Sequence, residues 1–327
     1  MRKLTHLSVL VTGGSRGLGL LLARQCVERG CDVTIAARDQ EELDRAASLL
    51  RRRAGRSGAS VSVRVCDVRD KYAVRDTVAR TARDQGGLDV VLANAGIIQV
   101  GPAEASGVEG FRDAMDTMFF GAVHAALESL PYLRRSPAGG RLALIGSVGG
   151  LLPVPHLLPY ACAKSAIGAL AEGLRAEQAE YGVSVTAVHP GLMRTGSHLQ
   201  AEFGGDAARE YAWFATLAGM PLVSMGAPRA AERIVDAVER RRTRVVLTPA
   251  ARLGAAAYGL APSLVTRANT LVARLLPGSE EQEAGTVKGH GLAADKDTAR
   301  PKWQSAVSAL NERAARRLNE HAAPRTR

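Results

Sequence analysis

Ser147, Tyr160 and Lys164 carry the clearest chemistry in this chain, with the tyrosine thirteen positions after the serine and the lysine four after the tyrosine. Four residues make about one helical turn, so phenol and ammonium lie on one face of a helix. A free phenol titrates near ~10, too high to trade protons at neutral pH, and a neighbouring cation lowers that value. Tyr160 is thereby a candidate general acid/base. Ser147 follows an apolar run, residues 142–146, that reads as a buried parallel strand. A hydroxyl at the carboxyl end of such a strand sits where open α/β sheets bind ligands, and there it can hold a carbonyl oxygen. Tyrosine and lysine at this spacing also occur as an ordinary surface pair, so the weight rests on what positions them.

Residues 7–11 read as a first strand that runs straight into a glycine-rich turn, residues 12–19, and then a helix over 20–29. Strand, glycine turn and helix form a phosphate cradle. Gly13, Gly17 and Gly19 let the backbone turn tightly, while the helix N-terminus offers unpaired N–H groups and partial positive charge. Strand patterns recur at 32–37, 61–65, 88–92, 183–188 and 244–248, with helical stretches between them. The alternation predicts an α/β fold: a single Rossmann-like, doubly wound domain over residues 1–248 with a mainly parallel seven-stranded sheet, followed by a C-terminal helical extension.

A GxxxGxG turn directly after the first strand, with the Ser–Tyr–Lys set more than a hundred residues downstream, resembles the short-chain dehydrogenase/reductase family over about residues 5–248. The resemblance implies that Asp67 hydrogen-bonds the adenine amino group, with Val68 beside it. It implies that Asn94 of the Asn94-Ala95-Gly96 motif steadies the sheet while Gly96 lets a cofactor approach. It places Pro190-Gly191 beside a nicotinamide, with Met193 and Thr195 meeting its carboxamide or the phosphates, and Ser15, Arg16 and Leu18 in the cradle. The activity implied is NADP-dependent interconversion of a ketone or aldehyde with an alcohol. Hydride passes between nicotinamide and substrate carbon, Tyr160 transfers the proton, Lys164 lowers its pKa and holds the ribose, and Ser147 orients the oxygen.

The residue after the second strand faces the adenosine ribose, and here it is Arg38, preceded by Ala36 and Ala37. An acidic side chain there would accept the 2′-hydroxyl of NAD, whereas arginine suits the 2′-phosphate of NADP. Arg16 adds a second cation, and Asp39 reads as the cap of the next helix. NADP(H) is therefore expected over NAD(H). One residue departs from the family: aligned on Gly121, the asparagine of its proton relay is replaced by Met118, whose thioether cannot donate a hydrogen bond. That motivates an alternative reading as a catalytically impaired NADP-binding sensor or scaffold. An epimerase or dehydratase on the same fold is less favoured, because the TGxxGxxG turn and larger substrate domain of those relatives are missing.

A net charge of +11 raises the question of nucleic acid, but much of the excess lies at helix ends such as 51–53 and 240–242, and no aromatic-interleaved basic surface is present. Nucleic-acid binding is not expected. Cys26, Cys31, Cys66 and Cys162 lack CxxC spacing, which fits reduced thiols and no metal site. The first strand follows Met1 almost at once, so no signal peptide and a cytoplasmic location are expected. The substrate loop, 192–228, carries Phe203, Tyr211, Trp213, Phe214, Leu217 and Met220 and reads as an apolar lid over a hydrophobic carbonyl or alcohol substrate. Residues 249–277 predict an amphipathic helical hairpin that covers the substrate mouth, packs on a second subunit, or makes peripheral membrane contact. Residues 278–302 read as a linker and 303–327 as a final helix and tail, and the family resemblance implies a homodimer or homotetramer.

Overall fold

The computed structural model describes residues 4–55, 57–220, 224–277, 286–294, 315 and 317–320. Seven strands form one sheet: β1 (Ser8–Thr12), β2 (Asp32–Ala37), β3 (Val61–Val65), β4 (Val90–Ala93), β5 (Arg141–Ile145), β6 (Ser184–His189) and β7 (Arg244–Val246). Every neighbouring pair is parallel, in the order β7-β6-β5-β4-β1-β2-β3. β1, β4, β5 and β6 are buried along their whole length, as expected of strands covered on both faces. The order reverses between β1 and β4, and in open α/β sheets ligands bind in the crevice outside the carboxyl ends of the strands at such a switch point.

One face of the sheet is covered by α1 (Gly17–Glu28), α2 (Gln40–Ala54) and, later in the chain, the helix Ala227–Glu239. The other face is covered by α3 (Lys71–Asp84), by α5 (Gly121–Leu133), which continues α4 (Ala103–Ala114) through a π-helical turn, Met115–Phe120, and by α6 (Leu158–Glu177). Asp39 caps α2 by accepting from Glu42 N at 2.8 Å, and Arg51, Arg52 and Arg53 close its last turn, where cations complement the dipole.

The described residues of the stretch expected to be a substrate loop form a small folded unit. Phe203, Tyr211 and Phe214 are buried with Val100, Leu157 and Ala201, and α7 (Ala207–Gly219) supplies one wall. The aromatics expected to form an apolar lid thus mostly pack on one another, leaving Leu217 and Met220 as the exposed apolar residues of α7 and its end. After α8 (Ala227–Glu239) and β7, the extension forms two helices, α9 (Pro249–Leu260) and α10 (Pro262–Ala273). Leu253 and Leu260 are 73% and 88% exposed.

The stretch expected to be a linker departs from that reading. Within 278–302, Val287–Lys288 pairs antiparallel with Glu202–Phe203, and α11 (Gly289–Ala294) follows. The free edge of Glu202–Phe203 provides backbone partners, and Gly289 N donates to Ala201 O at 2.9 Å. The remainder of that stretch, 278–285 and 295–302, lies outside the described residues, as does the expected C-terminal helix over 303–327 except Ala315 and residues 317–320.

Candidate active site

Ser147 leaves β5 in extended conformation and caps a short 3-10 turn, its Oγ accepting from Gly149 N at 3.1 Å. Tyr160 and Lys164 sit one turn apart on α6, and a Cβ on Gly149 would lie 3.6 Å from both the Ser147 Oγ and the Tyr160 ring, so hydroxyl and ring flank the same glycine. The three side chains therefore meet at the carboxyl end of the central strands. Lys164 is buried, and its Nζ donates to Ile145 O at 2.7 Å while lying 5.6 Å from the Tyr160 ring centroid. Burial lowers the lysine to about 8. Burial also raises the phenol above its ordinary value, with the Ser147 hydroxyl pulling the other way.

The expectation that Lys164 lowers the Tyr160 pKa is not met by this arrangement. The ammonium is turned to the Ile145 carbonyl instead of the phenol oxygen, so desolvation governs both groups. His189, at the end of β6, was not singled out from sequence. It is buried with its Nδ1 3.3 Å from Ser147 O, and burial lowers its pKa, so it props the serine backbone as a neutral ring.

Met118 lies inside the π-helical turn, a feature that often marks functional sites, and is fully buried. A Cβ on Gly96 would lie 3.5 Å from the Met118 sulfur and 3.6 Å from Lys164 Nζ. The thioether and the ammonium thus border Gly96 together.

At the other end of the crevice, Gly13 and Gly17 take left-handed φ of 63° and 54°. A Cβ on Gly19 would overlap the Gly13 carbonyl oxygen, so only glycine fits there. Asn94 Nδ2 donates to Gly13 O at 3.2 Å and to Thr12 O at 3.3 Å, and the Asn94 and Ala95 amides donate to Thr12 Oγ1. β4 is thereby tied to the turn that follows β1. Ser15 Oγ donates to Glu42 Oε2 at 2.9 Å, and Arg16 pairs with Glu42 Oε1 at 2.7 Å. Leu18 is half-buried against the core.

The cation expected from Arg16 is consequently shared with a carboxylate that sequence reading did not place there. Arg38, by contrast, is exposed and has no hydrogen bond or ion pair among the described residues. The carboxylate of Asp67 is held by the Arg69 guanidinium at 2.6 Å and the Arg69 amide at 3.0 Å. Burial, the largest single influence on Asp67, pushes its pKa up, but Arg69 and Arg38 together leave it below the ordinary value. Val68 O accepts from His124 Nδ1 at 2.9 Å.

Pro190 O accepts from Val148 N at 2.8 Å, which fixes the Pro190-Gly191 turn against the loop that follows Ser147. Gly191 abuts Thr248, while Met193–Arg194 pairs with Met225–Gly226 and Thr195 Oγ1 donates to Ser197 Oγ at 2.8 Å. Between Ser147 and Tyr160, His156 adopts φ 61°, with its Nδ1 2.6 Å from the buried Glu210, which also accepts from Trp213 Nε1 at 2.6 Å. Asn269 of α10 donates to Pro153 O at 2.7 Å, so the hairpin flanks the same loop.

The C-terminal residues 317–320 also reach this crevice: Leu318 O accepts from Gly17 N at 3.0 Å, and the Glu320 carboxyl is buried beside Gly17 and Gly196. No local sequence signal announces that contact, because the partners lie some three hundred positions apart. Among the described residues, no group of three or more His, Cys, Asp or Glu is placed to hold a metal, and no helix is long and apolar enough to cross a membrane.

Residues 8–202 match the model of the short chain dehydrogenase family. The chain belongs to that family. It is similar to a gluconate 5-dehydrogenase of Gluconobacter oxydans, 34% identical over 57% of this chain and 71% of that one. It is also similar to a dehydrogenase/reductase SDR family protein 7-like protein of Anopheles gambiae, 32% identical over 76% of this chain and 78% of that one. A short chain dehydrogenase of Burkholderia cenocepacia in complex with NADP superposes with a TM-score of 0.65 at 25% identity, over 77% of this chain and all of that one.

The dehydrogenase family binds a nicotinamide dinucleotide, and the residues present fit that group. The cradle is stripped to backbone by its glycines, and the atoms that reach it here, Leu318 O and the Glu320 carboxyl, are acceptor oxygens of the kind a diphosphate presents.

Proposed function

We propose that this short chain dehydrogenase interconverts a ketone or aldehyde with an alcohol, using NADP(H), on a hydrophobic substrate. The observation that carries the reading is the convergence of the Ser147 hydroxyl and the Tyr160 ring on Gly149 at the carboxyl edge of the sheet, with Lys164 one turn behind. When bound, the reduced nicotinamide supplies the hydride. Ser147 and Tyr160 together hold the substrate oxygen, and the phenol hydroxyl delivers or accepts its proton. A phenol raised by burial is a protonated donor at neutral pH, which suits reduction. Lys164 fixes the α6 face to β5 through the Ile145 carbonyl and would hold the ribose of a bound dinucleotide.

NADP is favoured over NAD by Arg38, an exposed guanidinium just after β2 with no carboxylate bound to it among the described residues. The hydrophobic substrate is supported by the aromatic unit behind the loop and by the leucine-bearing hairpin that flanks Pro153. Exposed Phe120 and Leu127 on the outer side of the Met118-bearing element favour self-association there.

The test is NADPH oxidation, followed at 340 nm, over hydrophobic ketones with sugar acids as the polar contrast. Tyr160→Phe is expected to lower turnover by about 10³-fold or more, the scale of a positioned acid, with NADPH affinity unchanged. A variant that keeps most of the rate would overturn the mechanism. The buried Met118, which borders Gly96 with a thioether that cannot donate a hydrogen bond, supports a second reading, a dinucleotide-binding sensor. Tight NADPH binding with no turnover on any substrate would favour it.

A further inference from the structure

The cradle end of the crevice is held by the chain's own C-terminal turn through contacts on both walls. Leu318 O takes the Gly17 N–H at 3.0 Å, a donor at the N-terminus of α1. Asn319, in the left-handed region at φ 60°, donates through Nδ2 to Ser15 O at 2.9 Å and Glu42 O at 3.2 Å, and Arg45 Nε reaches its Oδ1 at 3.3 Å. From the opposite wall, Gln200 Nε2 donates to Glu320 O at 3.1 Å.

The Glu320 side chain fills the slot between the walls. A Cβ on Gly17 would come within 2.5 Å of its Oε1, and one on Gly196 would overlap its Oε2 and Ala315. Both walls are glycine where the carboxyl passes, so the turn lies as close to the backbone as a phosphate would. Its Oε2 is buried and has no hydrogen-bond partner among the described residues. The turn is therefore seated without being fully satisfied, as a displaceable occupant would be.

We propose that residues 317–320 are an autoinhibitory plug that competes with the diphosphate of NADP(H) for the glycine cradle, so that cofactor binds only when the turn leaves. The proposal rests on the cofactor reading above and adds how access to that site is regulated. The turn spans the same two walls, Ser15–Gly17 and Thr195–Gln200, between which a dinucleotide would lie. Occupancy by one excludes the other. If the turn is docked nine-tenths of the time, apparent affinity for the cofactor falls about tenfold below that of the open cradle.

The experiment uses the full chain and two variants, deletion of 315–327 and Asn319→Ala, the second of which removes the anchoring amide without touching the cradle. NADPH affinity is read from nicotinamide fluorescence, and amide exchange of the 315–320 peptide is measured with and without saturating NADPH. Both variants are expected to bind NADPH about tenfold tighter than the parent, and NADPH is expected to strip protection from 317–320 in the parent. Unchanged affinity in both variants, or protection of that peptide that persists under saturating NADPH, overturns the plug and leaves the cofactor reading standing. If the folded deletion variant binds neither NADPH nor NADH, the cofactor reading falls and the plug with it.

Discussion

At the triad end of the crevice the polar groups meet across elements that the sheet itself sets side by side: Ser147 leaves β5, Lys164 bonds the Ile145 carbonyl of the same strand, and Tyr160 lies between them. At the cradle end, the backbone of Ser15–Gly17 meets a turn about three hundred positions further along, through single hydrogen bonds and one carboxyl oxygen left unsatisfied among the described residues. The first set is held by bonds to neighbouring backbone, Ser147 by the Gly149 amide and Lys164 by the Ile145 carbonyl. The second is exchangeable, because its donors serve any acceptor oxygen of the right size. One crevice thus joins a fixed chemical end to a binding end that the protein can itself occupy.

The sharpest way to break this contrast is to spoil the cradle alone. A methyl group at Gly19 would overlap the Gly13 carbonyl and lie 2.6 Å from Asn94 Nδ2, both parts of the tie between β1 and β4. Overpacking of this kind costs about 1–3 kcal/mol or more. Gly19→Ala is expected to lower the melting temperature by several degrees and to abolish NADPH binding. The Tyr160 environment, followed by proton exchange at the phenol, should stay as it is. A variant that melts and binds like the parent would mean that the turn has slack the structure does not show.

Charge at the ribose comes next in size. Arg38→Asp replaces the free guanidinium with the group that NAD enzymes use, and it should shift the NADPH:NADH affinity ratio by about 10–100-fold toward NADH. If the ratio does not move, the 2′-phosphate is read elsewhere, and Arg16, once released from Glu42, is the remaining candidate. The double variant Arg16→Ala with Arg38→Asp would then decide.

The sheet was legible because its central strands are continuous apolar runs ending in Thr12, Ala37, Ala93 and Ser147, and because Asp39 sits one residue ahead of a helical pattern it does cap. Met118, singled out by the alignment on Gly121, borders Gly96 together with Lys164. What escaped was pairing. Glu42, in the first turn of α2, holds both Ser15 and Arg16, a pairing that no local pattern announces. The Lys164 ammonium was expected on the phenol and is found on a carbonyl, because a buried cation takes the nearest strong acceptor. Val287–Lys288 and the C-terminal turn left no periodic signal, since two to four residues can be fixed by a partner's free backbone groups alone. Helical or strand period is visible in a single sequence, whereas the choice among partners depends on which polar group the fold leaves unsatisfied.

The smallest expected effect refines the comparison through pH. Burial drives the docked Glu320 carboxyl up to about 8 from an ordinary 4.5. Of the charged groups that face it, Arg16 in the glycine turn pulls the value down and Glu42 on α2 pushes it up. The opposite wall contributes the Gly196 amide, which lowers it, and the neutral Gln200 side chain. Since the docked pKa lies above the undocked one, docking takes up a proton between the two values. The plug is therefore strongest in acid and weakens as pH rises toward 8. Affinity of the parent for NADPH should accordingly improve with pH relative to Glu320→Gln, whose neutral amide cannot ionise, by about threefold or more between pH 6 and 8.5. Binding is the correct readout, because Lys164 is lowered to about 8 and moves turnover through the same window. Dividing parent by variant at each pH removes the contribution of every other titrating group, that of the cofactor's own phosphate included. A ratio that stays level across the range would show that the carboxyl does not change protonation when the turn leaves, and the cradle would then be held by Leu318 and Asn319 alone.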